Sequence, residues 1–154
     1  MEVPLHNLPW LILFQRLLAS ILCGALIGFE REQQRKPAGL RTMILICFGS
    51  TLYITVSLLA SEGSEFPFDV TRVASQVVTG VGFLGAGAII MGKGHVHGLT
   101  TAATIWTVAA IGLIIGLGYP LLGMAVTGFV LAILIILRKL RKGFLKRWID
   151  EVDE

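Results

Sequence analysis

Apolar residues along this chain gather in five long stretches, near residues 10–29, 42–60, 73–91, 99–117 and 119–137. Each approaches the roughly 20 residues that an α-helix needs to cross about 30 Å of hydrocarbon. Polar positions fall in the gaps between them, so the pattern predicts an all-α polytopic membrane protein with five transmembrane helices. Gly and Thr blur the ends of the third and fourth stretches, and only the corner Gly118-Tyr119-Pro120 separates the fourth from the fifth. Met1 to Pro9 carry no Lys or Arg. The basic n-region of a signal peptide is therefore absent there, and the first stretch is expected to stay as a membrane helix.

Charge turns this pattern into a topology. The first gap holds Arg31, Arg35, Lys36 and Arg41, the third holds Lys93, and the tail holds Arg138, Lys139, Arg141, Lys142, Lys146 and Arg147. With five spans these eleven of the 13 basic residues share one side. The opposite side has Arg72 beside Glu62, Glu65 and Asp69. The positive-inside rule then puts the N-terminus outside and the C-terminus in the cytoplasm. Residues 1–137 form the membrane domain, and 138–154 form a basic then acidic cytoplasmic tail. Leu140, Phe144, Leu145 and Trp148 make that tail either an interfacial helix beside anionic lipid or a continuation of the fifth span.

Composition agrees and narrows the class. Of 154 residues, 55% are hydrophobic and 15% charged, with mean hydropathy +0.79. A soluble domain of this size needs more polar surface. The net charge of +3 comes mostly from inner loops and tail, so no nucleic-acid partner is called for. Cys23 and Cys47 lie in apolar stretches at similar expected depth, as small buried hydrophobes without zinc spacing.

Small residues suggest how the helices pack. Arg16, Ser20, Gly24 and Gly28 recur at steps of four and share one helix face. Such a stripe lets helices approach closely. Arg16 is then either partnered inside, by Asp69, Glu65 or helix-end carbonyls, or snorkelling to the headgroups. Gly80, Gly82, Gly85 and Gly87 are expected at a close-packed or distorted helix. Gly80 to Gly85 spell G-x-G-x-x-G, but in a membrane-length apolar stretch with no acid before Asp150. That context excludes a dinucleotide site. A shift of 59 residues pairs Gly28 with Gly87, Gly39 with Gly98, Leu40 with Leu99, Thr42 with Thr101 and Ile46 with Ile105. Two helical hairpins of the same orientation would form a parallel repeat.

Candidate chemistry is sparse. Glu30 adjoins the apolar interior and is expected to pair with Arg41 or a bound cation, while Glu32 can pair with Lys36. It is the one candidate metal ligand. Thr100, Thr104 and Thr107 lie near one face, with Thr101 beside them; they either bond to their own helix or line a polar cavity with Gln76. His95 and His97 occupy a glycine-bounded loop that makes a poor metal site. No nucleophile–base–orienter set exists, so no enzyme and no cofactor are expected.

GALIGFERE (Gly24–Glu32), AGLRT (Ala38–Thr42), GVGFLGAGAI (Gly80–Ile89), GLTTAATIW (Gly98–Trp106) and AAIGLIIGLG (Ala109–Gly118) resemble the signature of the MgtC/SapB family of bacterial membrane proteins. The resemblance implies a five-span inner-membrane domain linked to growth in scarce magnesium. It also implies a regulatory role through neighbouring transporters or the ATP synthase. Many relatives carry a soluble C-terminal domain, and a chain ending at Glu154 is expected to be a short form. Motif and repeat together are expected to gather Glu30, Arg31, Arg41 and Thr42 with Thr100 and Thr101 at the inner helix ends.

Two functions remain. One is a regulator that packs against partner membrane proteins, with a homodimer as one possible assembly. The other is a transporter or channel for Mg²⁺ or another ion. The 80 residues from Val70 to Ile149 contain no carboxylate. Mg²⁺ usually binds one or two carboxylates, which favours the regulator.

Overall fold

The structure, a computed structural model, describes residues 10–61, 69–92 and 95–152, with only the backbone at 70, 92 and 141–152. Glu62, Glu65 and Lys93 lie outside the described residues, as do the side chains of Phe144, Leu145 and Trp148. The order is α1 (Trp10–Gln33), α2 (Leu40–Ser61), α3 (Val70–Gly87), β1 (Ile90–Gly92), β2 (His95–His97), α4 (Leu99–Gly116) and α5 (Pro120–Val152). Four helices are long and apolar enough to cross a membrane: α1, α2, α4 and α5 as far as Leu140. The 18-residue α3 is not among them, because Thr71, Arg72, Ser75, Gln76 and Thr79 dilute its apolar content.

The third apolar stretch is not one helix to its end. Its helix stops at Gly87, and β1 pairs antiparallel with β2, Met91 facing Val96 and Gly92 facing His95. Gly85 and Gly87 are weak helix formers, whereas Ile90 and Met91 suit extended pairing. His95 and His97 therefore sit on a strand rather than in a loop. α1 runs four residues past its expected end and takes Glu30 and Glu32 into its last turns. α5 continues through the basic tail to Val152 as one helix.

Helix ends are closed by local bonds. After α1, Arg35 N–H donates to the Glu32 carbonyl and Lys36 N–H to the Arg31 carbonyl, with Arg35 at φ 52°. After α4, Gly118 N–H donates to Ile115 and Tyr119 N–H to Ile114. These are Schellman closures. Glycine fits the second, at φ 102°, and Pro120 then opens α5, where a missing N–H costs nothing. The Glu32 carboxylate accepts from Leu40 N–H at 2.8 Å, capping α2 instead of pairing with Lys36.

Contacts fix the helix directions. Gly24 lies against Ile44 and Gly28 against Leu40, so α1 and α2 are antiparallel. Gly112 lies against Cys47 and Ser50, and Gly116 against Thr51 and Ile54, so α2 and α4 run parallel. α3 must then return between them, and Gly85 beside Ala102 places its C-terminal part near the start of α4. At about 1.5 Å per residue its 18 residues span roughly 27 Å. α4 touches every other helix, and Ile27, Met43, Cys47, Val108, Ile111 and Ile115 fill the core around it.

Four of these approaches leave no room for a side chain, and at Gly112 a Cβ would run into the Cys47 carbonyl. A Cβ on Gly24 would stand 2.7 Å from Ile44 Cα, one on Gly28 2.7 Å from Leu40 Cα, and one on Gly116 2.8 Å from the Thr51 carbonyl oxygen. Ser20, on the same α1 stripe, is fully buried and bonds to the Leu17 carbonyl at 2.7 Å. The α3 glycines correct the expectation of close packing. Gly80, Gly82 and Gly87 have nothing within 4 Å among the described residues, and Gly85 makes only ordinary contact with Ala102 at 3.6 Å. α3 stands away from α2 and leaves a groove between them.

Gly24→Leu and Gly112→Leu are expected to destabilise the fold by more than the 1–3 kcal/mol of ordinary overpacking. Leu22→Ala and Gly82→Ala are expected to be tolerated. Thermal unfolding and monodispersity in detergent measure the contrast.

Candidate functional site

Two features stand out, a charged pocket at the end of the bundle where α1 closes and an open groove between α2 and α3. The pocket encloses about 350 Å³ between the C-terminal end of α1, the start of α4 and residues 133–138 of α5. Glu30, Arg31, Gln34, Lys36, Thr100 and Arg138 supply its polar lining, with Ile133, Leu134 and Leu137 as an apolar wall. Glu30 and Arg31 are 7% and 3% exposed. A Glu30 oxygen accepts from Arg138 Nη1 at 3.1 Å, and its second oxygen lies 3.6 Å from Arg31 Nη1. Burying a carboxylate is costly unless it is paired. Arg138 gives Glu30 a hydrogen bond and Arg31 a nearby positive charge, while the second Glu30 oxygen has no hydrogen-bond donor among the described residues.

The expected inner-end cluster is thus divided. Glu30, Arg31 and Thr100 line the pocket, and Thr101 is buried beside them on α4. Arg41 and Thr42 are exposed and line the groove instead. The reason is the Glu32 cap on Leu40, which starts α2 with Arg41 on the face away from α1. Glu30 therefore pairs with Arg31 and Arg138, not Arg41. Arg138 was legible only as a basic anchor of the tail. Its role here depends on α5 running antiparallel to α4, which brings it level with Glu30.

The groove has a volume of about 910 Å³ and runs from Pro37, Arg41 and Thr42 past Gly49 and Gly80 to Tyr53, Arg72 and Gln76. Its walls are mostly apolar, and Ile105 of α4 lies at its base. Gly49, Gly80 and Gly87 line it with open space where side chains would be. Gln76 belongs to this groove and does not share a cavity with Thr104 and Thr107. Those two hydroxyls bond to their own helix, at Thr100 O (2.7 Å) and Ala103 O (2.8 Å), the usual fate of threonine in apolar surroundings.

At the far end of the bundle, Arg16 donates from Nη1 to the Gly116 carbonyl at 3.2 Å. That carbonyl is one of the unpaired acceptors at the C-terminus of α4, where the helix dipole is negative. Asp69 is engaged elsewhere as the N-cap of α3. The Thr71 hydroxyl, then the Thr71 amide, hold its carboxyl below the ordinary 3.8. His95 and His97 are exposed, their rings 6.4 Å apart. Among the described residues no three His, Cys, Asp or Glu side chains gather as a metal site.

Residues 17–143 match the MgtC family. The chain belongs to that family. It is 42% identical over 143 residues to the protein SrpB of Synechococcus elongatus, covering 86% of this chain and 79% of SrpB. It is 47% identical over 124 residues to YhiD of Escherichia coli, whose name proposes magnesium transport, covering 78% of this chain and 56% of YhiD. To the protein MgtC of Salmonella typhimurium it is 41% identical over 139 residues, covering 90% of this chain and 57% of MgtC. The chain thus spans only a little over half the length of YhiD and MgtC. No solved structure matches it. Family and apolar helices together make this a multi-pass membrane protein of the MgtC family.

Glu30→Gln leaves Arg31 buried without a counter-charge and is expected to cost about 3–5 kcal/mol. Replacing Arg31 by Met in the same protein should recover part of that loss. Denaturant unfolding in mixed micelles reads both variants.

Proposed function

We propose that this MgtC-family chain crosses the bacterial inner membrane five times, with its N-terminus outside and its C-terminus in the cytoplasm. In this reading it modulates magnesium-linked ion homeostasis through partner membrane proteins, without catalysing a reaction or carrying Mg²⁺ itself. The charge asymmetry supports the orientation. The parallel run of α2 and α4 supports α3 as the return crossing.

The observation that carries the partner reading is the position of the groove. α1 packs on α2 as α3 packs on α4, and α1 touches α4 as α3 touches α2. This exchange is what a repeat of two hairpins about the membrane normal requires. α5 packs against α1 and α4. The counterpart of its seat is the space against α3 and α2, where the groove lies. A groove matching the seat of a helix suits a transmembrane helix of another protein, and glycines at Gly49 and Gly80 permit close approach.

The state of Glu30 argues against Mg²⁺ passage. It already holds two guanidiniums, and Mg²⁺ retains its water unless carboxylates are available. The transporter reading draws on the name of YhiD.

Protein-only liposomes are expected to take up no Mg²⁺. Gly49→Leu and Gly80→Leu, which have room to fold, should abolish complementation of growth in low magnesium at unchanged protein level. Robust flux that Glu30→Gln abolishes would instead establish transport. Reporter fusions after Asp69 and at the C-terminus should register opposite compartments; the same compartment for both would remove the five-span topology.

A further inference from the structure

The pocket at the end of α1 carries more positive charge than its one carboxylate needs. Glu30 faces Arg31, Lys36 and Arg138, an excess of two positive charges. Glu30 contacts each arginine only through Nη1. Arg31 is 3% exposed, yet its Nε and Nη2 have no acceptor among the described residues, and the neighbouring Glu30 Oε2 has no donor. Those two N–H groups form one edge of the guanidinium, the fork that takes two oxygens of a carboxylate or phosphate. A buried donor edge without an acceptor is unfavourable. The one free Glu30 oxygen cannot serve both Nε and Nη2 as well as balance three cations, so the site favours a further oxyanion.

We propose that this pocket binds a phosphate group through Arg31, Lys36 and Arg138. Its charge excess matches the one to two negative charges that phosphate esters carry and repels a divalent cation. Gln34 and Thr100 offer neutral donors at the rim. Ile133, Leu134 and Leu137 continue the wall along α5, and Ile133 and Leu137 are more than half exposed. An apolar strip beside a cationic pocket fits a phospholipid, with its headgroup in the pocket and a chain along α5. Inorganic phosphate satisfies the same donors. The proposal rests on the orientation proposed above only in assigning the lipid to the cytoplasmic leaflet.

The test uses the full chain, purified in detergent and stripped of lipid. Phosphatidylglycerol, phosphatidylcholine and inorganic phosphate are each titrated by native mass spectrometry and thermal shift. Saturable binding of phosphatidylglycerol or phosphate is expected, weakened roughly tenfold in Lys36→Gln, which loses one charge-assisted contact. Lys36 is exposed, so this variant keeps its fold where Arg31→Gln fails to. Arg72→Gln, at the opposite end of the bundle, should bind as the unaltered protein does. Binding of phosphatidylglycerol without phosphate competition assigns a lipid headgroup, and competition by phosphate assigns the free anion. No saturable binding of either, or affinity indifferent to Lys36→Gln, overturns the proposal. The assay involves no ion flux, so its failure and the failure of the function proposed above are separate results.

Discussion

The contact between α2 and α4 governs the rest of this bundle. Gly112 and Gly116 bring α4 so close to α2 that a methyl group at Gly116 would meet the Thr51 carbonyl at 2.8 Å. The Thr51 hydroxyl joins the two helices, lying 3.0 Å from the Cys47 carbonyl and 2.9 Å from the Gly112 carbonyl. Lipid tails are as apolar as leucine, so helices in a bilayer associate through close packing and such bonds rather than by leaving water. Two parallel helices held this tightly cannot be consecutive passes of a chain. The chain must come back along the bundle between them, and α3 is the described helix that does so. That it crosses the membrane belongs to the proposed topology, since it is not among the four helices long and apolar enough to do so.

Charge sits where that packing can satisfy it. The guanidinium of Arg16 meets the carbonyl end of α4, which carries an unpaired acceptor and the negative end of the helix dipole. Glu30, at the opposite end, is shared between one arginine of its own helix and one from α5. Both arrangements tie sequence-distant segments together at the bundle ends, while the middle is held by small residues and hydroxyls. Removing one partner leaves a charge with nothing to replace it, which makes such pairs stronger constraints on register than sources of stability.

Much of this architecture was legible in the order of residues, for a physical reason. Helix existence follows from the length of apolar runs, and the stripe from Ser20 to Gly28 follows from the helical period, which the chain displays directly. What was not legible depends on which helix lies next to which. Gly112, Gly116 and Thr51 look like any residues of an apolar stretch until α2 and α4 are known to run parallel. Arg138 looks like a membrane anchor until α5 is seen to bring it level with Glu30. The hairpin of Ile90–Gly92 with His95–His97 was hidden because apolar continuity across Gly87 does not distinguish a helix from a strand. Arg41 was placed with Glu30 by the closeness of the two loop ends, and the Glu32 cap on Leu40 turned it the other way.

The glycines of α3 are the residue of that comparison. Their number suggested close packing, yet among the described residues a Cβ at Gly80, Gly82 or Gly87 would meet nothing within 4 Å. Glycine inside a helix costs stability relative to alanine, by roughly 0.5–1 kcal/mol each. A helix carrying several with no internal neighbour incurs that cost without the packing that usually offsets it. α1 shows the offset in Gly24 and Gly28, each pressed against the backbone of α2. In the proposed reading the same compensation for Gly80 and Gly87 comes from outside the chain. If the two hairpins form the proposed repeat, the groove lies where the counterpart of α5 would sit, and a helix filling it would give α3 the contacts that α1 already has. In that same proposed reading, the open side of the domain is the seat of a partner helix, and the tightly built side is the one already filled by α5.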